Sequence, residues 1–250
     1  FNYDVNNYYD IDGNLNIRDY DGDHYYMWDA QEQYWKGFEW TRNLPAGVGQ
    51  PTLSHDLPGA TTSSNDPQSN TDSRWYNEGG ASGRVDATRS CATLPNANEM
   101  TWYCKFGDPR WDEDELWTTM GHLYKGGVWL KKKSVLQAEG HYNTEKSADG
   151  STDLRTTWKQ YNNSSSIYNS GLPSAANAGN YFYLPSLGQY SSGQLVNVGG
   201  NGFYWSSSAS PRDNYRAYSL SLSFPGNVSV GDGNRYDGYR AQKFSDFGDN

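Results

Sequence analysis

The sequence predicts an α+β domain, and three observations carry that prediction. Asn96 followed by Glu99 marks a helix start of the capping-box kind, where two side chains satisfy free backbone N–H groups. Tyr218, Leu220, Leu222 and Phe224 alternate with Ser219, Ser221 and Ser223, the period of two of a strand with one buried face. Hydrophobic residues make up only 35% of the 250-residue chain, but aromatic residues make up 16%. Tyr and Trp bury large areas while keeping a polar tip, so a loop-rich domain with an aromatic core follows.

Taken in order, residues 1–24 are rich in Asn, Asp, Tyr and Gly and read as turns and an edge strand. A calcium loop starting at Asp10 fails, because Leu15 stands where the sharp turn needs Gly and no Glu closes the loop. Asx-turns explain the Asp spacing better. Trp28, Tyr34, Trp35, Phe38 and Trp40 mark core within residues 25–40, on strand and turn or a short helix. Residues 43–90 are dominated by Pro, Gly, Ser, Thr, Asn and Asp, a long irregular insertion anchored by Trp75-Tyr76. Residues 94–125 form the main helical region. A second helix is expected after Asp112, with acids in its first turn where the helix dipole favours them. Leu116, Met120 and Leu123 would form its apolar stripe and Gly126-Gly127 its end. Residues 140–180 read as loop, and residues 181–244 as a β-rich region. No linker or repeat divides the chain, so residues 1–250 are expected to form one domain.

The net charge of -9 opposes binding to phosphate backbones, which removes nucleic acid as a partner. The basic run Lys131-Lys132-Lys133 reads as a solvated strand end or turn. No apolar stretch approaches a membrane span. No export signal is visible and the chain begins at Phe1 without Met, the pattern expected of a trimmed fragment. Cys91 and Cys104 are the only cysteines. An unbroken helix between them would hold them too far apart to bridge, and both two buried thiols and a disulfide remain open.

Catalytic chemistry finds little footing. His24, His55, His122 and His141 lack a nucleophile-elbow context, and Gly-x-Ser-x-Gly is absent. Asp108, Asp112, Glu113, Asp114 and Glu115 offer carboxylates for glycosidase chemistry, but acids opening a helix are usually a solvated, dipole-matched turn. Gly199-Gly200-Asn201-Gly202 precedes Phe203-Tyr204-Trp205 rather than Lys-Ser or Lys-Thr, so a turn before a strand is preferred to a phosphate loop. Two cysteines without nearby His give no zinc site. No catalytic residue, metal or cofactor is expected.

The segment from Leu195 to Ala241 has an unusual composition. It contains no Lys, Glu, Gln or Met, and its one Trp is Trp205. Two readings fit. One is a Ser/Gly/Asn-rich sheet with polar turns. The other is a segment in which many positions were written through Asn codons ending in C or T with both adenines randomised. Such codons yield Asn, Tyr, Asp, Ser, Arg, Gly, Leu and Phe among others, and never Lys, Glu, Gln, Met or Trp. The outcome is physically like a paratope, with Tyr for rigid contact and Ser, Gly and Asn for adaptable hydrogen bonding.

Leu184-Pro185-Ser186-Leu187-Gly188 followed by Asn197-Val198-Gly199-Gly200-Asn201-Gly202-Phe203-Tyr204-Trp205-Ser206-Ser207-Ser208 resembles the closing region of C-type-lectin-fold variable proteins, which diversity-generating retroelements diversify. Ala217-Tyr218-Ser219-Leu220-Ser221-Leu222 and Arg235-Tyr236-Asp237-Gly238-Tyr239 continue the likeness. The stretch from Cys91 to Met100 resembles the helix start of the formylglycine-generating-enzyme branch of that fold. Ala241-Gln242 stands where the family has Val-Arg, and the catalytic cysteines of those enzymes have no counterpart, which argues against oxidase activity. The resemblance implies a C-type-lectin-like fold with small twisted antiparallel sheets, two helices and long irregular insertions. Tyr204, Trp205, Tyr218, Leu220, Leu222, Arg235 and Gly238 would hold that fold.

Solvent-facing variable positions would then be Phe203, Ser208, Ser210, Arg212, Asp213, Asn214, Tyr215, Arg216, Ser219, Ser221, Ser223, Asn227, Ser229, Asp232, Asn234, Tyr236 and Asp237. The expected function is recognition of a protein or glycan receptor on another cell or virus, by a domain displayed outside the cell on a bacterial surface, pilus or phage particle. No direct membrane insertion is expected. The same Tyr-Trp-Ser-Ser-Ser region also occurs in bacterial surface paralogues that no retroelement targets. A fixed-ligand surface lipoprotein is therefore the alternative, and a carbohydrate-active enzyme the second.

Overall fold

A computed structural model describes residues 17–20, 22–39, 65–79, 83–163, 171–224 and 227–249. The region around Asp10, where a calcium loop was considered, lies outside the described residues, as do Trp40, His55 and much of the 43–90 insertion.

The described chain begins with two short strands, β1 (Arg18–Asp19) and β2 (Tyr25–Tyr26). Turns then bury Trp28, Tyr34 and Trp35 completely. Helix α1 (Ala97–Phe106) follows, started by the capping box that the sequence predicts: Glu99 N donates to Asn96 Oδ1 at 3.0 Å, and Asn96 N donates to Glu99 Oε2 at 2.8 Å. Next come β3 (Arg110–Thr119), β4 (His122–Lys131), α2 (Lys133–Ala138) and β5 (Tyr161–Asn162). The remaining strands are β6 (Tyr181–Pro185), β7 (Gln189–Ser191), β8 (Gln194–Val196), β9 (Asn201–Ala209), β10 (Arg216–Ser223), β11 (Asn227–Asn234) and β12 (Tyr239–Arg240). Sheets with two helices make this an α+β arrangement.

Three sheets organise the described strands. Their orders are β1-β3-β4-β6, β2-β12-β9-β10-β11-β5, and the β7-β8 pair. In the six-stranded sheet Leu220 lies opposite Tyr204 and Val230, and Leu222 opposite Gly202 and Val228. This row is wholly buried, and α1 packs on the same sheet. A second apolar cluster contains Trp28, Cys91, Leu94, Trp205, Ala209, Ala217 and Tyr239. Both cysteines are buried free thiols.

The expected second helix from Asp112 is not formed. Residues 110–131 are an antiparallel hairpin, closed by a two-residue turn in which Met120 and Gly121 have φ of 55° and 77°. Positive φ at both central positions gives the turn a twist that matches paired strands. The acids sit in an irregularity of β3 between Asp112 and Leu116. Asp112 Oδ1 accepts hydrogen bonds from Asp114 N and Glu115 N, both at 3.0 Å, and Oδ2 accepts from Trp129 Nε1 at 2.9 Å. Asp112 is thus a structural brace, and the acidic run is an Asx-type bulge. Of the expected apolar stripe Leu116, Met120 and Leu123, the two leucines are exposed and only Met120, in the turn, is half-buried against the core. The short α2 begins inside the basic run, whose Lys131 ends β4.

Two smaller expectations also change. Phe224 does not continue the buried row of β10. It is 51% exposed at the end of the strand, where its ring meets Trp111 at a centroid distance of 5.4 Å. Within the irregular region from 140 to 160, Asn98 of α1 supplies order. Asn98 Oδ1 accepts from Leu154 N at 2.9 Å and Asn98 Nδ2 donates to Asp153 at 2.9 Å.

Candidate binding surface

The sheet carries the candidate residues at three places. At one end, the β9–β10 connection spans Ser210 to Tyr215. Ser210 N donates to Arg216 O at 3.0 Å to close it, and Arg235 N donates to Tyr215 O at 2.8 Å. The loop is therefore held by backbone bonds to the sheet; it presents Arg212, Asn214 and Tyr215 to solvent, while Ser210 is buried.

Those side chains form an aromatic and charged patch. Tyr215 is 44% exposed, Tyr236 43% and Trp158 42%. The Arg212 guanidinium lies 5.0 Å from the Trp158 ring centre, and that of Arg216 lies 5.6 Å from Tyr215. A guanidinium over an aromatic face is attracted by the ring quadrupole. Arg216 reaches Asp213 at 3.6 Å and Asp232 at 3.8 Å. Asp232 Oδ2 also accepts from Trp158 Nε1 at 3.1 Å and Ser210 Oγ at 2.9 Å. Asp232 is thus the hub that fixes Trp158 and Arg216, and only its neighbours present polar contacts to solvent. Asn214 is exposed and Asn234 half-buried in the same region.

Along the outer face of the sheet, Phe203, Ser221 and Ser229 form a half-buried row across β9, β10 and β11. Phe203 is tied to the framework by its ring contact with Tyr239 at 4.9 Å. At the opposite end lie Ser223, half-buried, and Asn227, exposed, directly paired. An eight-residue strand rises roughly 25 Å, so this pair and the loop patch do not share one small footprint.

Ser208, Ser210, Ser219 and Asp237 correct the expectation of solvent exposure, since all four are buried. Ser208 belongs to a bulge in β9, where Ser206-Ser207-Ser208 interrupts the register with β10. Its hydroxyl accepts from Ala97 N at 3.1 Å, satisfying a free N–H in the first turn of α1. The bulge also takes up the 85–97 segment, because Ser207 N donates to Pro95 O and Ala87 N donates to Ser207 O. Ser219 lies opposite Trp205, whose ring is covered by Tyr239 at 4.1 Å. Ser210 is drawn inward by Asp232. Asp237 lies in the turn before β12 and accepts from Asn234 Nδ2 at 3.3 Å. Burial pushes its carboxyl up to about 6.

Framework residues hold these positions. Arg235 is fully buried with its guanidinium 4.5 Å from the Trp28 ring centre, and it donates to Arg216 O, Asn77 O and Gly79 O. Gly238 admits no side chain, since a Cβ there would come within 2.8 Å of both Tyr190 and Tyr34. Arg240 of β12 is buried with its guanidinium 4.9 Å from the Tyr25 ring centre, and Ala241 carries the backbone bonding one residue further, its N–H donating to His24 O at 2.9 Å.

Sequence reasoning missed Trp158. Its signal is a single tryptophan in a polar stretch far from the C-terminal segment. Among the described residues, no group of His, Cys, Asp and Glu is arranged to hold a metal ion, and no helix is long and apolar enough to cross a membrane. The chain matches no protein-family model, no curated protein and no solved structure.

Proposed function

We propose that this chain is a binding protein rather than an enzyme: a C-type-lectin-like domain, displayed outside the cell, that recognises a protein or glycan receptor on another cell or virus. The observation that carries the reading is the patch of Tyr215, Tyr236, Trp158, Arg212 and Arg216. Large amphipathic rings and guanidinium groups are the residue types that dominate binding energy at interfaces. Arg212 and Tyr215 stand on a loop whose backbone is bonded to the sheet, Arg216 begins β10, and Trp158 is fixed by its bond to Asp232, so little conformational entropy is lost on contact. The C-terminal composition supports diversification of this surface by a retroelement. The burial of Ser208, Ser210, Ser219 and Asp237 favours a second reading, a surface lipoprotein of the same fold with a fixed ligand, since fewer of the C-terminal positions are free to vary.

The test is capture of intact bacterial cells from the source community by purified protein, read by flow cytometry. Tyr215→Ala and Arg212→Ala are each expected to weaken binding about thirtyfold or more, the hot-spot range of about 2 kcal/mol and above, with unchanged melting temperatures. Unfolding of either variant, or undiminished capture by both, would overturn the assignment.

A further inference from the structure

Beside the loop patch lies a cleft of about 400 Å³, within the roughly 300–1,000 Å³ range of small-molecule sites. It belongs to a different part of the chain, with walls from residues 70–79 together with Gln31 and Arg89. Trp75 and Tyr76 form its aromatic side, half-buried, with ring centres 4.9 Å apart and planes tilted by 35°. Glu78 is fixed on one oxygen by Trp75 Nε1 at 2.8 Å and on the other by Asn70 Nδ2 at 3.0 Å. Each carboxylate oxygen keeps lone-pair capacity for a further donor. The Arg89 backbone is anchored, its N–H donating to Asp29 Oδ1 at 2.7 Å, while its side chain is exposed and no described residue pairs with its guanidinium.

We propose that this cleft binds a neutral saccharide of one or two rings. Three features point to that chemistry. The lining contains no aliphatic side chain, so a peptide's apolar anchors would find nothing to fill. The half-buried indole and phenol rings leave a small apolar surface for the C–H face of a sugar ring, and the amides, carboxylate and guanidinium that make up most of the lining offer both donors and acceptors for hydroxyl groups. The charges also balance. Glu78 and Arg89 offset each other, and Asp72 is already held by Arg74 in contacts of 2.6 to 3.2 Å.

The cleft adjoins the loop patch through Arg235, which donates to Asn77 O at 3.0 Å and Gly79 O at 3.2 Å on the cleft wall while its own N–H binds Tyr215 O. A surface glycan and a protein partner would therefore be engaged side by side. The cleft does not depend on the loop patch for its own binding.

Saturation-transfer NMR of the full chain with lactose, cellobiose and chitobiose tests the proposal, with sialyllactose as the acidic control. At least one neutral disaccharide is expected to bind with a Kd in the millimolar range or tighter. Arg89→Ala and Gln31→Ala, both at exposed positions, should weaken it fivefold or more at unchanged melting temperature. Trp75→Leu should abolish it, but that ring packs on the core, so the exposed variants decide. Tyr215→Ala should leave it intact, which separates this site from the loop patch. The proposal is overturned if no neutral probe binds, if only sialyllactose binds, if the Arg89 and Gln31 variants bind normally, or if Tyr215→Ala removes binding.

Discussion

Ser219 and Ser221 stand two residues apart on one strand face, and burial separates them. Ser221 is half-buried in an open row, whereas Ser219 is covered along with Trp205. Periodicity in the sequence assigns a side chain to a face. It does not say what covers that face, and here the cover comes from Tyr239 and the 85–95 segment, far away in the chain. The same holds for Ser208, whose partner is the first turn of α1. The buried row of Leu220, Leu222, Val228 and Val230 was legible because one pattern fixes it locally.

Asp237 gives the sharpest prediction at this scale. Burial raises its pKa from 3.8 to about 6. Below about pH 3, under both pKa values, the carboxyl is neutral in both folded and unfolded states and costs nothing. As pH rises from about 4 to about 6, the unfolded state releases the proton more readily, so the folded state loses stability, up to a ceiling of about 3 kcal/mol. Asp237→Asn should therefore raise the melting temperature at pH 8 and leave it unchanged at pH 3. An equal effect at both pH values would show that the charge is not the cause.

At the scale of elements, the helix start at Asn96 was readable because its capping box is a local arrangement of four consecutive residues. The β3–β4 hairpin was not. Leu116, Met120 and Leu123 fall at helical spacing by coincidence, and an acidic run resembles a helix first turn. Trp111, Trp117, Thr118 and Thr119 carry the opposing β preference, and the strand pairing with β6 decides the matter through contacts remote in sequence. In the six-stranded sheet, Gly233 lies beneath Tyr239, where an added Cβ would sit 2.5 Å from the phenol oxygen. Gly233→Ala should lift Tyr239 off Trp205 and destabilise the fold by about 1–3 kcal/mol, seen as a lower urea midpoint. An unchanged midpoint would mean that the ring shifts freely.

Across the whole molecule, apolar clusters on the six-stranded sheet separate what is held from what is presented. Tyr204, Trp205, Tyr218, Leu220, Leu222, Arg235 and Gly238 are all buried. Arg212, Asn214, Tyr215 and Tyr236 are exposed beside them. The C-terminal part of the patch stood out in the sequence through its composition. Trp158 and the cleft at Trp75 did not, because they come from irregular segments that only tertiary packing places next to the sheet.

The most direct test of the central claim, a diversified recognition surface on a constant framework, is deep sequencing of the last quarter of the gene in its source population. Variation is predicted at adenine-bearing codons of exposed positions, Arg212, Asn214, Tyr215 and Tyr236 foremost, with Tyr204, Trp205, Leu220 and the buried Ser208 and Ser219 constant. A uniform sequence, or synonymous drift spread evenly along the gene, would contradict diversification and leave a fixed-ligand surface protein.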